Sequence, residues 1–213
     1  MASGVAAATW EQAGGRVAAE SEDARLIARC RAGDRQAQEA LVQRYQQCVY
    51  RLACNLLDNP EDALDACQDA LVAILRSLPR FRGESSLQTW VYRVAVNTCI
   101  MKRRSLRART RLIVDLPAHA AESAQQTPDP GFAALRREIQ AAVREHLRRL
   151  PPEFRAVVVL RELDGMSYQQ IAETLQMPLG TVQSRLNRGR RLLRGYFLAD
   201  ERIRALRPGG EGP

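Results

Sequence analysis

Lysine is nearly missing from this 213-residue chain: Lys102 stands alone, and arginine carries almost all of the positive charge. Acids are in deficit, 24 against 32 basic residues, which leaves a formal charge of +8 and suits a polyanionic partner. No apolar run approaches the roughly 18 residues that a bilayer span needs, so membrane insertion is not expected. The opening MASGVAAATWEQAGG lacks a basic start followed by an apolar block and does not read as a secretory signal. Cys30, Cys48, Cys54, Cys67 and Cys99 are odd in number and without CxxC spacing, and neither His119 nor His146 lies at ligand distance along the chain from a cysteine or a second histidine. Buried free thiols in a reducing cytoplasm are therefore expected, with no metal and no cofactor. The two histidines read as surface or helix residues. A Gly-rich phosphate loop, HExxH, GxSxG and a Cys/His dyad are all missing, so an enzyme acting on a small-molecule substrate has little support. No stretch alternates as a strand would, and no segment repeats.

What is present is helical periodicity, and one stretch stands out, SYQQIAETLQMPLGTVQSRLNRGRRLLR from Ser167 to Arg194. Tyr168, Ile171, Ala172 and Leu175 share one helical face, Met177-Pro178-Leu179-Gly180 breaks the pattern, and Val182, Leu186 and Leu193 resume it. Two short helices joined by a tight turn are expected, with Pro178 and Gly180 as the turn chemistry. The second helix holds no Asp or Glu between Thr181 and Ala199, while Arg185, Arg188, Arg190, Arg191 and Arg194 crowd it and Gln183, Ser184 and Asn187 sit near its front. A recognition helix needs such a field and such short polar groups to hold phosphates and reach base edges in a major groove. A solvated arginine-rich face is the plainer reading, and the helix pair taken alone does not decide between them.

Elsewhere, residues 1–22 are small and aperiodic and are expected to form a disordered tail in which Trp10 carries little weight. From Asp23 onward, Leu26, Ile27 and Cys30 mark a short helix ending at Gly33; Asp34 should cap a longer one through Ala37, Leu41, Tyr45, Cys48, Val49, Leu52 and Leu56. A third helix follows Asp58-Asn59-Pro60, with Ala63, Ala66, Cys67, Ala70, Leu71, Ile74 and Leu78 on its stripe. Asp58, Glu61, Asp62, Asp65 and Asp69 occupy that region without a basic residue, more acid than a helix dipole accounts for, and suggest a docking face for a basic protein.

Next come the loop Pro79–Ser86, read as presenting an exposed Phe81 between Arg80 and Arg82, and a helix from Leu87 to about Arg104. Trp90, Val91, Val94 and Ala95 can bury, whereas Arg93, Asn97, Lys102, Arg103 and Arg104 lie along other faces. An aromatic, an amide and several arginines are the parts needed to grip single-stranded nucleic acid; for Asn97 a plain surface position is an equal reading. Six of the ten residues from Lys102 to Arg111 are basic, which suggests phosphate contact. Residues 106–132 read as a linker, rich in Pro, Ala and Gln. Helical period returns with Leu135, Ile139, Val143 and Leu147, and again after Leu150-Pro151-Pro152 with Phe154, Val157, Val158 and Leu160 or Leu163. The architecture expected is all-α: two small helical domains, 23–105 and 133–199, on a flexible tether, with a frayed tail at 200–213.

In that order the parts resemble a group IV sigma factor, the extracytoplasmic-function class of bacterial RNA polymerase specificity subunits. The likeness rests on DALDACQDALVAIL, FRGESSLQTWVYRVAVNTCI and LPPEFRAVVVLRELDGMSYQQIAETLQMPLGTVQSRLNRGRRLL, and covers about 23–105 and 133–196. It implies that Asp62, Asp65, Gln68 and Asp69 dock on the clamp of the polymerase's largest subunit, with the flap as a further contact of core RNA polymerase. It implies that Phe81, Arg82, Ser85, Ser86, Trp90, Arg93, Asn97, Lys102 and Arg103 serve melting of the minus 10 element and capture of an extruded base. Thr181, Gln183, Ser184, Arg185, Asn187, Arg188 and Arg191 would serve the minus 35 element. A separate anti-sigma factor and a role in a stress response are further implications. Asn187 departs from the aromatic or basic residue of many relatives, so the promoter sequence does not carry over, and Cys67 also departs. An ordinary helix-turn-helix repressor is the alternative; it would bind its duplex unaided, whereas tethered modules need polymerase to set their spacing.

Overall fold

In the computed structural model the described residues are 22–112 and 130–202, with side chains described for 22–108 and 138–202, and their regular structure is helical throughout. The expected tails, most of the linker, Trp10, His119 and the side chain of Leu135 lie outside those residues.

A first helix, α1, spans 22–31 and closes on Gly33, whose φ of 81° suits a residue without Cβ. The Asp34 carboxylate then accepts from the amides of Gln36 and Ala37 and starts α2, Arg35–Leu56, a cap that contributes about 1 kcal/mol. Ala37, Leu41, Tyr45, Val49, Leu52 and Leu56 are buried as their spacing expects, and Cys48 is half-buried. Asn59 caps α3, Pro60–Ser77, with Pro60 in the first turn. A 3₁₀ turn, Leu78–Arg80, leads to the loop before α4, Leu87–Leu112.

Helix α4 runs past the end expected near Arg104, because Leu106 to Leu112 holds good helix formers and no Gly or Pro. Helix α5, Pro130–Arg149, likewise starts earlier than its apolar period shows, with Pro130 in the position where a fixed φ costs nothing. Helices therefore enter both ends of the stretch read as a linker. Helix α6, Pro152–Val158, passes into a π turn at Val159–Leu163 and ends before Gly165, φ 67°. Ser167 and Gln170 form a reciprocal capping box at the start of α7, Tyr168–Leu175. The turn into α8, Leu179–Ala199, uses Gln176 in the left-handed region, φ 50°. Gly180 belongs to the first turn of α8 and has open space around it, so the turn does not depend on it as the sequence suggested.

Helices α2, α3 and α4 pack on one another, and α6 and α7 pack on α8, with α5 against α8 as well. The two groups also touch, through α4 with α7 and through α2 with α5 and α6. A single buried apolar cluster results, running from Leu41, Ala66 and Val91 to Val157, Leu160, Ile171 and Leu186. Within the second group α8 lies close to α6: a Cβ on Gly189 would stand 2.6 Å from Val158 Cγ2.

Among the described residues two polar links join the groups. Arg155 of α6, 2% exposed, donates to the Leu56 carbonyl at 3.3 Å, to Asp58 at 2.8 Å, and to the carbonyls of Arg148 and Leu150. Three carbonyls and a carboxylate thus share one guanidinium, whose planar fork suits the task. Tyr92 of α4 donates to Asp164 Oδ1 at 3.2 Å. Desolvation of that carboxylate raises Asp164 to about 6, against smaller opposing effects of the Tyr92 hydrogen bond and Arg51.

His146 is a helix residue but not a surface one: it is 1% exposed, meets Asp200 at 2.8 Å and takes Phe197 edge-on at 4.9 Å between centroids. Ile139, by contrast, faces outward at 37% exposure, and Ala142 takes the core position instead. All five cysteines are free thiols; Cys30, Cys67 and Cys99 are buried, and burial pushes every one upward, Cys99 to about 12.

Candidate nucleic-acid interface

Helix α8 buries Val182, Leu186 and Gly189 and so turns Gln183, Ser184, Asn187, Arg188, Arg191 and Arg194 to solvent. Among the described residues no ion pair neutralises Arg188, Arg191 or Arg194, whereas Arg190 is tied to Glu162 at 2.6 Å. Ser184 donates to the Thr181 carbonyl at 3.0 Å, Thr181 is half-buried, and the start of α8 has no side-chain cap. The Leu179 and Gly180 amides are therefore open to an anion, while those of Thr181 and Val182 donate to the Pro178 carbonyl. Arg185 leans the other way, with Nη1 3.9 Å from Met177 Sδ.

The loop before α4 is built differently from its expected form. Phe81 is 8% exposed and packs on Trp90 with ring centroids 5.2 Å apart and the ring planes tilted by 50°. The exposed aromatic read from the sequence is thus a core residue, because Trp90 in the first turn of α4 offers a better neighbour than water, by about 0.5–1.5 kcal/mol beyond burial. Arg31 holds the loop by donating to the Phe81 carbonyl. Ser86 Oγ accepts from the Thr89 amide at 3.1 Å, which makes it the cap of α4. Exposed on this side are Arg82 and Asn97, with Ser85 and Arg93 half-buried. Lys102 reaches Asp65 of α3 at 3.3 Å and Arg103 reaches the Leu56 carbonyl at 3.4 Å, so both are turned toward neighbouring helices.

On α3, Asp65, Gln68 and Asp69 are exposed and Asp62 is half-buried. Leu64 and Val72 lie beside them at 50% and 45% exposure, and make the face mixed rather than purely acidic. Exposed large apolar residues on a charged face mark a contact surface. Sequence reading passed over both because each falls off the apolar stripe.

Three of the DNA-reading candidates, drawn from both groups, meet at one place. Asn97 and Arg103 of α4 and Arg185 of α8 line a common cleft of about 370 Å³.

Family models match the chain twice: Sigma-70 region 2 over residues 41–110 and Sigma-70 region 4 over 140–193. The RNA polymerase sigma-H factor of Pseudomonas aeruginosa is 35% identical over 177 residues, covering 80% of this chain and 91% of that one. The chain belongs to the sigma-70 family. Within it, this sigma factor is also similar to proteins of the extracytoplasmic-function class. The sigma-E factor of Escherichia coli K12 is 35% identical over 170 residues, covering 78% of this chain and 88% of its own; that of Haemophilus influenzae is 33% identical over 183. Members of this family are transcription initiation factors, and this one serves initiation in the same capacity.

Solved structures share the fold: CnrH in complex with the cytosolic domain of CnrY at TM-score 0.60, 24% identity and 82% of this chain, and 96% of that chain. The sigma factor RpoE of Bartonella quintana in complex with the anti-sigma factor NepR gives TM-score 0.62 at 20% identity, over 76% of this chain and 97% of that one. In the sigma factor described here the region 2 match takes in most of α2, all of α3 and most of α4; the region 4 match runs from within α5 into α8. Arg155, Tyr92 and Gly189 were not singled out in the sequence. Arg155, in PPEFRAVV, could have been found as the one charge on an otherwise apolar face.

Proposed function

We propose that this sigma factor recruits core RNA polymerase through α3, reads the minus 35 element with α8, and opens DNA at the minus 10 element with α4 and the loop before it. The observation that carries this reading is the solvent-facing row Gln183, Asn187, Arg188 and Arg191, whose arginines find no intramolecular counter-ion among the described residues. In this assignment Arg188 and Asn187 meet base edges, and Arg191 and the uncapped amides at the start of α8 meet phosphate. Asp65, Gln68 and Asp69, with Leu64 and Val72 beside them, meet the clamp of the largest subunit. The factor acts as a binding subunit and not as a catalyst, works in the cytoplasm where polymerase is, and is held in check by an anti-sigma protein until a stress releases it. The cytosolic and anti-sigma partners seated on CnrH and RpoE are the kind of partner proposed.

At the minus 10 end, buried Phe81 and Trp90 form a fixed wall, and Asn97, Arg82 and Arg93 are the groups left to hold an extruded base. Unstacking a base costs a few kcal/mol, which contacts of this kind must offset. Asn97→Ala should therefore weaken strand opening more than closed-complex formation, by about 1–3 kcal/mol. Permanganate reactivity of the opened thymines checks it; reactivity equal to that of the parent protein would remove Asn97 from the site.

A further inference from the structure

The cleft where the two helix groups meet has a chemistry that DNA reading alone does not require. Arg103, Arg104 and Arg107 of α4 line it from one side and Arg185 of α8 from the other, against one carboxylate among the described residues, Glu153. None of the four arginines makes an ion pair among the described residues; Arg103 meets only the neutral Leu56 carbonyl and Arg185 only the Met177 thioether. Like charges gathered around a cavity repel unless an anion enters. Burial and the charges of Arg155 and Arg107 already hold Arg103 below the usual guanidinium range. The remaining wall is largely apolar, with Ile100, Leu175 and Met177, and Asn97 also lines the cleft.

We propose that this cleft binds a nucleoside di- or triphosphate, with the arginines on the phosphates and the base laid against Ile100, Leu175 and Met177. The volume, about 370 Å³, falls within the range of small-ligand sites. Guanidinium forks pair with phosphate oxygens, a thioether and aliphatic carbons accept the face of a planar ring, and an amide in the lining hydrogen-bonds a base edge. Glu153 is placed to accept from ribose hydroxyls, as carboxylates do in other nucleotide sites. The cleft exists only while α4 and α7 are in contact, so a nucleotide there stabilises the docked arrangement and occupies Asn97 and Arg185 in place of DNA.

The test uses the full chain without polymerase, so its failure leaves the promoter-reading assignment untouched. ATP, GTP, adenosine, inorganic triphosphate and a short single-stranded oligonucleotide are each titrated by calorimetry at physiological salt. The expected result is saturable binding of ATP or GTP with a Kd below about 1 mM, weaker binding of triphosphate, and none of adenosine. Arg104→Gln with Arg107→Gln keeps helix propensity, since both are exposed on α4, and should weaken nucleotide binding at least about tenfold. Equal affinity in the double variant, or no saturable nucleotide binding, overturns the proposal. So does an oligonucleotide that binds more tightly than ATP and loses affinity in the same variant, because the arginines would then belong to nucleic acid.

Discussion

Gly189 shows how much a single missing Cβ can decide. With Val158 Cγ2 2.6 Å from where that carbon would sit, and Val158 itself 1% exposed and branched at Cβ, neither helix can yield cheaply. Gly189→Ala gains up to about 1 kcal/mol of helix propensity but loses about 1–3 kcal/mol to overpacking. A fall in Tm of a few degrees is expected, and a variant that melts at or above the parent's Tm would refute the close approach of α6 and α8. Asp164 sets a pH dependence of definite sign. Its folded value, about 6, lies above the ordinary 3.8, so between those limits the folded chain holds more protons than the unfolded one. Stability from this group is fully present below the ordinary value and is lost as pH rises through about 6. Asp164→Asn keeps an acceptor for Tyr92 and removes the charge. Urea unfolding from pH 4 to 7 should show the variant gaining on the parent as pH rises; a constant difference would place the carboxylate in water.

Among the elements, α8 carries the most specific expectation. Arg188→Ala should cost about 1–3 kcal/mol at one base position, measured by promoter binding of the holoenzyme on single-substitution templates, whereas equal loss on every template would make it a phosphate contact. The helices themselves were largely legible in the sequence, because Asp34, Asn59, Ser167 and Gly33 are strong local punctuation and the apolar stripes of α2, α3 and α8 have clean period. The ends of α4 and α5 were not, since arginine-rich and alanine-rich runs keep helix propensity after the apolar period has faded. Phe81 was misread for a related reason: flanking arginines mark a residue as exposed only if no aromatic neighbour covers it, and Trp90, nine positions on, does. Ser86 and Lys102 were placed correctly on the elements, but their hydrogen-bonding groups are engaged within the fold, on Thr89 and Asp65. Local pattern says which residues are polar; which of them stay free is decided by tertiary contacts.

For the whole molecule, the deciding feature is that the two helix groups are docked. Arg155 draws Leu56 and Asp58 of one group to Arg148 and Leu150 of the other, and Asn97 and Arg185 face one cleft. Elements centred near minus 35 and minus 10 lie about 25 base pairs apart, roughly 80 Å along B-form DNA. With Asn97 serving the minus 10 element and α8 the minus 35 element, as proposed, two helices that share one small cavity cannot span that distance, so the groups must part before both elements are engaged, and a larger partner must set their distance. Nothing in the sequence pattern foretold the docking, because it depends on a buried arginine and a tyrosine meeting groups far along the chain. The most direct measurement is run-off transcription with core RNA polymerase on a randomised promoter library, with and without this chain. The account predicts transcripts that depend on the chain and share two upstream motifs at a fixed spacing, while the chain alone selects no duplex. Transcription no different from core enzyme alone, together with tight binding of one operator by the isolated chain, would contradict it.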